Sequence, residues 1–228
     1  MRAVNVLSGL VLLLVLTGCN GVNQHLVIED GERVDDDVSN VNGSISVGSK
    51  CEITGKVGNV NGSIEIGAES SVGAVSNTNG TIRLRSGVEV DGEVRNTNGR
   101  IAADDAVRVA GSIHTTNGRI ELGSGSRVDG EVSTVNGLVR ITAADVGSVT
   151  GFNGDIELRE GSRVRGELRM KRSEGMNIGD APEVLVGKDV VVEGPLVFER
   201  EVRLRIHESA TVGEISGAEP EYFRGDSP

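Results

Sequence analysis

Aromatic side chains are nearly missing: the 228 residues include no tryptophan, one tyrosine and three phenylalanines. A transmembrane β-barrel carries aromatic girdles at both interfaces, so this composition argues against one. Proline does not occur before Pro182 and then stands at 182, 195, 220 and 228. Because proline removes a ladder donor, the earlier stretch suits central strands, and its arrival marks the end of the regular part. Histidine is confined to His25, His114 and His207, in separate segments without a nucleophile or metal-ligand neighbour at useful spacing, which leaves no active site to assemble. No apolar stripe of helical period runs past residue 20. Basic charge is short as well, 23 Lys and Arg against 34 Asp and Glu for a net charge of −11. Nucleic acid as a partner needs the opposite balance.

What the chain has is a repeat. Asn-Gly recurs at Asn42, Asn61, Asn79, Asn98, Asn117, Asn136 and Asn153, at intervals of 17 to 19 residues, and a fixed period of this size signals a repeat architecture. Counted from the first aliphatic after Asn-Gly, apolar residues stand at 0, +2, +8 and +12, with glycine usual at +10. Ile45, Val47, Ile53, Gly55 and Val57 fit, as do Ile120, Leu122, Val128, Gly130 and Val132. The same template finds units without the Asn-Gly pair, starting at Leu26, at Val184 and, with one deletion, at Leu204. The repeat therefore covers residues 26–217.

Alternation at 0 and +2 is the strand period. Two short strands cannot bury a face alone, so each unit needs its neighbours. An antiparallel meander would make each Asn-Gly a hairpin turn; a β-solenoid would make each unit a coil and all pairing parallel. The +6 column decides, reading Cys51, Ser70, Val88, Val107, Ser126, Ser162, Val190 and Ala210. Similar size at one register is what in-register stacking requires. The expected fold is all-β, a single-stranded β-solenoid (parallel β-helix) of about ten coils of about 19 residues, with the seven Asn side chains hydrogen-bonded as a ladder along the axis.

Residues 1–18 run from Arg2 into the apolar stretch Val11 to Leu16, too short for a spanning helix and suited to an export signal. Leu16-Thr17-Gly18-Cys19 resembles a bacterial lipobox. The resemblance implies cleavage before Cys19, lipid attachment to Cys19 (palmitate among the acyl groups), and, with Asn20 and not Asp next, the outer membrane of a Gram-negative bacterium. Residues 19–25 are then a lipid anchor and short linker. Cys51 lacks a partner in the processed chain and reads as a small buried residue.

The unit starts Ile156 and Val184 are 28 residues apart, which places an insertion loop at 169–183. Beside it lie Arg159, Arg163, Arg165, Arg169, Lys171 and Arg172, candidate contacts for an anionic partner such as a lipopolysaccharide phosphate, or else a solvated face. Asp35 to Asp37 and Asp104 with Asp105 match neither the EF-hand nor the calcium-binding nonapeptide, so no metal or cofactor is expected. Phe198, Tyr222 and Phe223 are candidates to close the far end of the core, and 218–228 reads as a partly disordered C-terminal tail.

Asn61-Gly62-Ser63-Ile64-Glu65-Ile66 and its counterparts resemble the adhesin family whose β-solenoid repeats an Asn-Gly-x-Ile-x-Val phrase. Gly125-Ser126-Arg127-Val128-Asp129-Gly130-Glu131-Val132 resembles the bactofilins, polymer-forming cytoskeletal proteins that stack β-helices end to end. These resemblances imply a non-enzymatic, lipid-anchored β-solenoid at the cell envelope, an adhesin-like or structural scaffold module meeting an envelope or surface ligand. The alternative is a polymer former that self-associates through its solenoid ends.

Overall fold

A computed structural model describes residues 19–172 and 181–225. Every strand pairing among them is parallel, which excludes the meander. Successive coils begin at Leu26, Ile45, Ile64, Ile82, Ile101, Ile120, Val139, Ile156, Val184 and Leu204, each in register with the next. The chain is a β-solenoid.

Each coil contributes three strand segments. Positions 0 to +2 form an 11-stranded sheet, sheet B; the later segments belong to a 17-stranded sheet, sheet A. In some coils the two later segments fuse, as in Glu52–Asn61 and Arg127–Asn136, with a register irregularity at the bend. Glycine sits at that bend because coils meet there backbone to backbone: a Cβ on Gly130 would lie 2.4 Å from Ser112 Oγ and 2.8 Å from the Gly111 carbonyl.

Alternation along the strands turns the 0, +2, +8 and +12 side chains inward. Ile45, Ile64, Ile82, Ile101, Ile120, Val139 and Ile156 are each fully buried and stack one on the next. Burying a side chain of this size contributes about 1.5–3 kcal/mol, and a single unit cannot obtain it because half of the contact surface belongs to its neighbours. At about 4.8 Å per coil the stack is on the order of 50 Å long. The +6 column is equally enclosed from Cys51 to Val190 and partly buried at Ala210, with Cys51 2 % exposed, its Sγ donating to the Glu29 carbonyl at 3.0 Å and its thiol pKa pushed up by burial.

Several boundaries differ from the sequence expectation. The linker at 19–25 is not free of the fold: Cys19–Gly21 is a strand paired with Val38–Asn40, because the first coil leaves an edge that accepts one more parallel strand. The tail at 218–228 likewise contributes Pro220–Phe223, paired with Leu204–His207; proline is tolerated as the first residue of this outermost strand. The ends of the insertion at 169–183 lie in the strands Leu168–Met170 and Glu183–Val186, while 173–180 lie outside the described residues, as do 1–18 with the expected cleavage signal. Of the three aromatics expected to close the core, Phe198 is buried, but Tyr222 is 58 % exposed. It occupies the inward register of Ile206, with no further coil above it among the described residues. Phe223 packs edge-on against His207 at 5.1 Å.

Candidate functional site

The Asn-Gly pairs form the corner between sheet A and sheet B. Asn61 Nδ2 donates to Asn42 Oδ1 at 2.9 Å, Asn79 to Asn61 at 2.8 Å, Asn98 to Asn79 at 2.9 Å, Asn117 to Asn98 at 3.0 Å, Asn136 to Asn117 at 2.8 Å and Asn153 to Asn136 at 3.2 Å. Asn23, without a glycine after it, begins the row by accepting from Asn42 at 2.7 Å. An amide can donate downward and accept from above, so the row propagates without limit. A carboxylate at these positions would only accept, and would break the row.

Glycine after each Asn is required by the same stacking. Gly137 has φ +146°, and a Cβ there would stand 1.8 Å from the Gly118 carbonyl oxygen. Just inside the corner runs a second polar column that the apolar template does not contain: Asn40, Asn59, Asn77, Asn96, Thr115 and Thr134, all buried and in register. Asn59 Nδ2 donates to the Gly43 carbonyl at 2.7 Å, Asn77 to Gly62 at 2.8 Å and Asn96 to Gly80 at 2.7 Å. The inner amides thus satisfy the corner carbonyls one coil back. The signal was present in the sequence as Asn-x-Asn-Gly, since a residue two before the outer Asn shares the inward parity of +12. Farther along, the column becomes Gly151, Met170 and Phe198, so polar filling gives way to apolar filling as the corner pair disappears.

The six cations near the insertion do not converge on one site. Arg159 pairs with Glu157 at 2.6 Å; Arg163 pairs with Glu193; Arg165 pairs with Asp145 at 2.8 Å and Asp129 at 3.3 Å; Arg169 lies 2.8 Å from both Glu167 and Glu199. Lys171 Nζ stands 5.7 Å over the Phe152 ring, and the Arg172 backbone N–H donates to Glu199 at 3.4 Å. Arg169 holds the Glu167 carboxyl below the usual carboxylate range. Sequence proximity grouped these side chains, but strand alternation and coil stacking divide them among facing carboxylates. The cluster is therefore largely neutralised on the surface.

The acidic runs are also occupied. Asp30, Asp37 and Asp105 each accept, through Oδ1, from a backbone N–H of the following coil, on Ser49, Lys56 and Ser124, at 2.7 to 2.8 Å. Among the described residues no group of three or more His, Cys, Asp and Glu side chains is placed to hold a metal ion, and no helix is long and apolar enough to cross a membrane. His114, separate in sequence, meets Ser133 of the next coil at 2.8 Å through Nδ1. Ser133 is buried, and among the described residues no carboxylate orients the ring; the pair is a rung between coils.

Comparison with protein-family models, with curated proteins and with solved structures found no match.

Proposed function

We propose that the protein is a non-enzymatic, lipid-anchored β-solenoid of the cell envelope, an adhesin-like or scaffold module whose lateral faces meet a surface ligand. One observation carries this reading: Cys19, the residue expected to bear lipid, begins the first strand, and that strand is hydrogen-bonded into the stack. An acyl chain on Cys19 would hold the first coil against the bilayer with no flexible spacer, so that the solenoid faces stand as a fixed surface above it. The corner ladder supports the same reading, because it repeats one amide at coil spacing from Asn42 to Asn153, as an extended binding surface requires. Fractionation tests it. The wild type should sediment with outer membranes and Cys19→Ala should appear in the soluble fraction; a variant that still sediments overturns the anchor.

The second reading, an envelope polymer joined through solenoid ends, is favoured by the terminal strands. Leu26–Ile28 and Pro220–Phe223 each pair on one side only among the described residues, and unpaired strand edges are templates for another chain. Electron microscopy of the detergent-extracted chain separates the two. Filaments one stack wide support the polymer former, and single rods at all concentrations support the surface module.

A further inference from the structure

Exposed apolar side chains gather at one end of the stack. Among the described residues the large hydrophobic side chains that stand exposed are Val22, Val27, Val41, Val60 and Tyr222. All but Tyr222 belong to the first coils, and Val22 comes soon after Cys19 in the chain. Val22, Val41 and Val60 form one column. Val22 follows Gly21, the register partner of Asn40, while Val41 and Val60 lie between the pairs Asn40 with Asn59 and Asn42 with Asn61. They are 67 %, 42 % and 40 % exposed. At about 4.8 Å per coil these valines span about 10 Å along the axis. Val27, also exposed, stands on sheet B, on the other flank of the same corner.

In the same register the column continues as Thr78, Thr97 and Thr116. Thr78 and Thr97 are as open to solvent as the valines. Threonine is β-branched like valine and shares its preference for strands, so strand formation does not account for the change. Aliphatic and aromatic residues return to the column at Val135 and Phe152, where neighbours partly bury them. Charge has the complementary distribution. The first coil turns at three corners: 29–32, 35–37 and the Asn-Gly corner. Its carboxylates, Glu29, Asp30, Glu32, Asp35, Asp36 and Asp37, all lie on the first two. The third corner, taken over 22–25, 41–44 and 60–63, contains no Asp, Glu, Lys or Arg.

We propose that this corner is a second membrane contact: the edge formed by Val22, Val41 and Val60 leans into the headgroup region of the bilayer, and Val27 enters on its other flank. The inference rests on the Cys19 anchor of the proposed function and adds to it. An acyl chain holds the first coil at the bilayer but does not select which corner turns toward the lipid. Apolar side chains gain by burial at the boundary of headgroups and acyl chains, to a depth of about 5–10 Å, and the valine column is about that long. The two acidic corners are kept in water by their own solvation and by repulsion from anionic headgroups. Lipid is the occupant, and not a second chain lying alongside, because the exposed valines stop about one interfacial depth from the Cys19 end. A lateral partner would meet the coils at Thr78 and Thr97 equally, since they share the register and the exposure.

The chain has no tryptophan, so a single introduced one reports its own position. Val60→Trp is compared with Thr54→Trp, at the exposed bend of the same coil, and with Thr116→Trp, farther up the same column. Each full chain, extracted in detergent, is reconstituted into vesicles of phosphatidylethanolamine and phosphatidylglycerol with acyl chains brominated near the headgroup, and floated. Using one residue type throughout cancels the preference of tryptophan for the interface. Quenching at position 60 at least about twofold that at 54 and 116 is expected for an edge at this depth. Adding Val22→Ser and Val41→Ser should remove the difference at unchanged circular dichroism. Floated chains with equal quenching at the three positions, or with none, overturn the membrane edge and leave the anchor standing; chains that do not float overturn both. A tryptophan at 60 that is shielded from water yet unquenched by bromine marks a second copy as the occupant and also overturns the proposal.

Discussion

Arg200 reaches across 47 residues to Asn153, donating from one terminal nitrogen to its Oδ1 at 2.8 Å and to the Phe152 carbonyl at 3.0 Å. Asn153 is the last of the Asn-Gly pairs, and its oxygen has no further asparagine above it. The guanidinium supplies the donor that the next coil lacks, and so ends the row much as a capping side chain ends a helix. Arg200→Ala should therefore lower stability by about 1–3 kcal/mol, the loss of charge-assisted bonds to partly buried acceptors. Urea unfolding measures it, and a change within error would mean that water replaces the cap.

Within the row, Asn117 both donates to Asn98 and accepts from Asn136. Asn117→Asp removes the donor and sets a carboxylate against the Asn98 oxygen, and should cost about 1–2 kcal/mol. Stability equal to wild type would reduce the asparagines to corner formers.

Gly137→Ala combines a left-handed backbone with a Cβ 1.8 Å from a carbonyl oxygen of the coil below. Backbone cannot yield there as a flexible side chain could. The expected loss is about 2–5 kcal/mol, and a melting temperature unchanged by the substitution would contradict the corner geometry.

Thr115 and Thr134 carry buried hydroxyls without a hydrogen-bond partner among the described residues. Thr115→Val should be neutral or stabilising, since it removes an unsatisfied polar group worth about 1–3 kcal/mol at nearly constant volume. A clear loss of stability would show that the hydroxyl is satisfied in solution by a bound water.

His114 gives the pH dependence. Burial on the sheet face, and then Arg95 one coil below, hold its imidazole below the ordinary 6.5, against the opposing pull of Glu131 and Glu93. A folded value below the unfolded one means that the unfolded chain takes the proton first. This contribution is present above pH 6.5 and declines as pH falls from 6.5 through the folded value, below which it levels off. His114→Gln should flatten that interval in a plot of unfolding free energy against pH; a slope that survives belongs to another group.

The sequence alone determined the coil. Asn-Gly spacing, the inward aliphatics from Ile45 to Ile156 and the small +6 column state which residues repeat, and period-2 alternation states which of them turn inward. These signals are local, or recur at one fixed separation, so a single chain displays them. Only the tertiary structure decided what adjacent coils do to each other. It paired Arg163, Arg165 and Arg169 with carboxylates brought near by the coil stacking, placed His114 on Ser133, and drew Cys19–Gly21 and Pro220–Phe223 into the stack. Those relations depend on which side chains meet across about 4.8 Å of coil spacing. Shifts of one or two residues in unit length, the 17-residue coil after Asn136 among them, move the offset that decides each meeting.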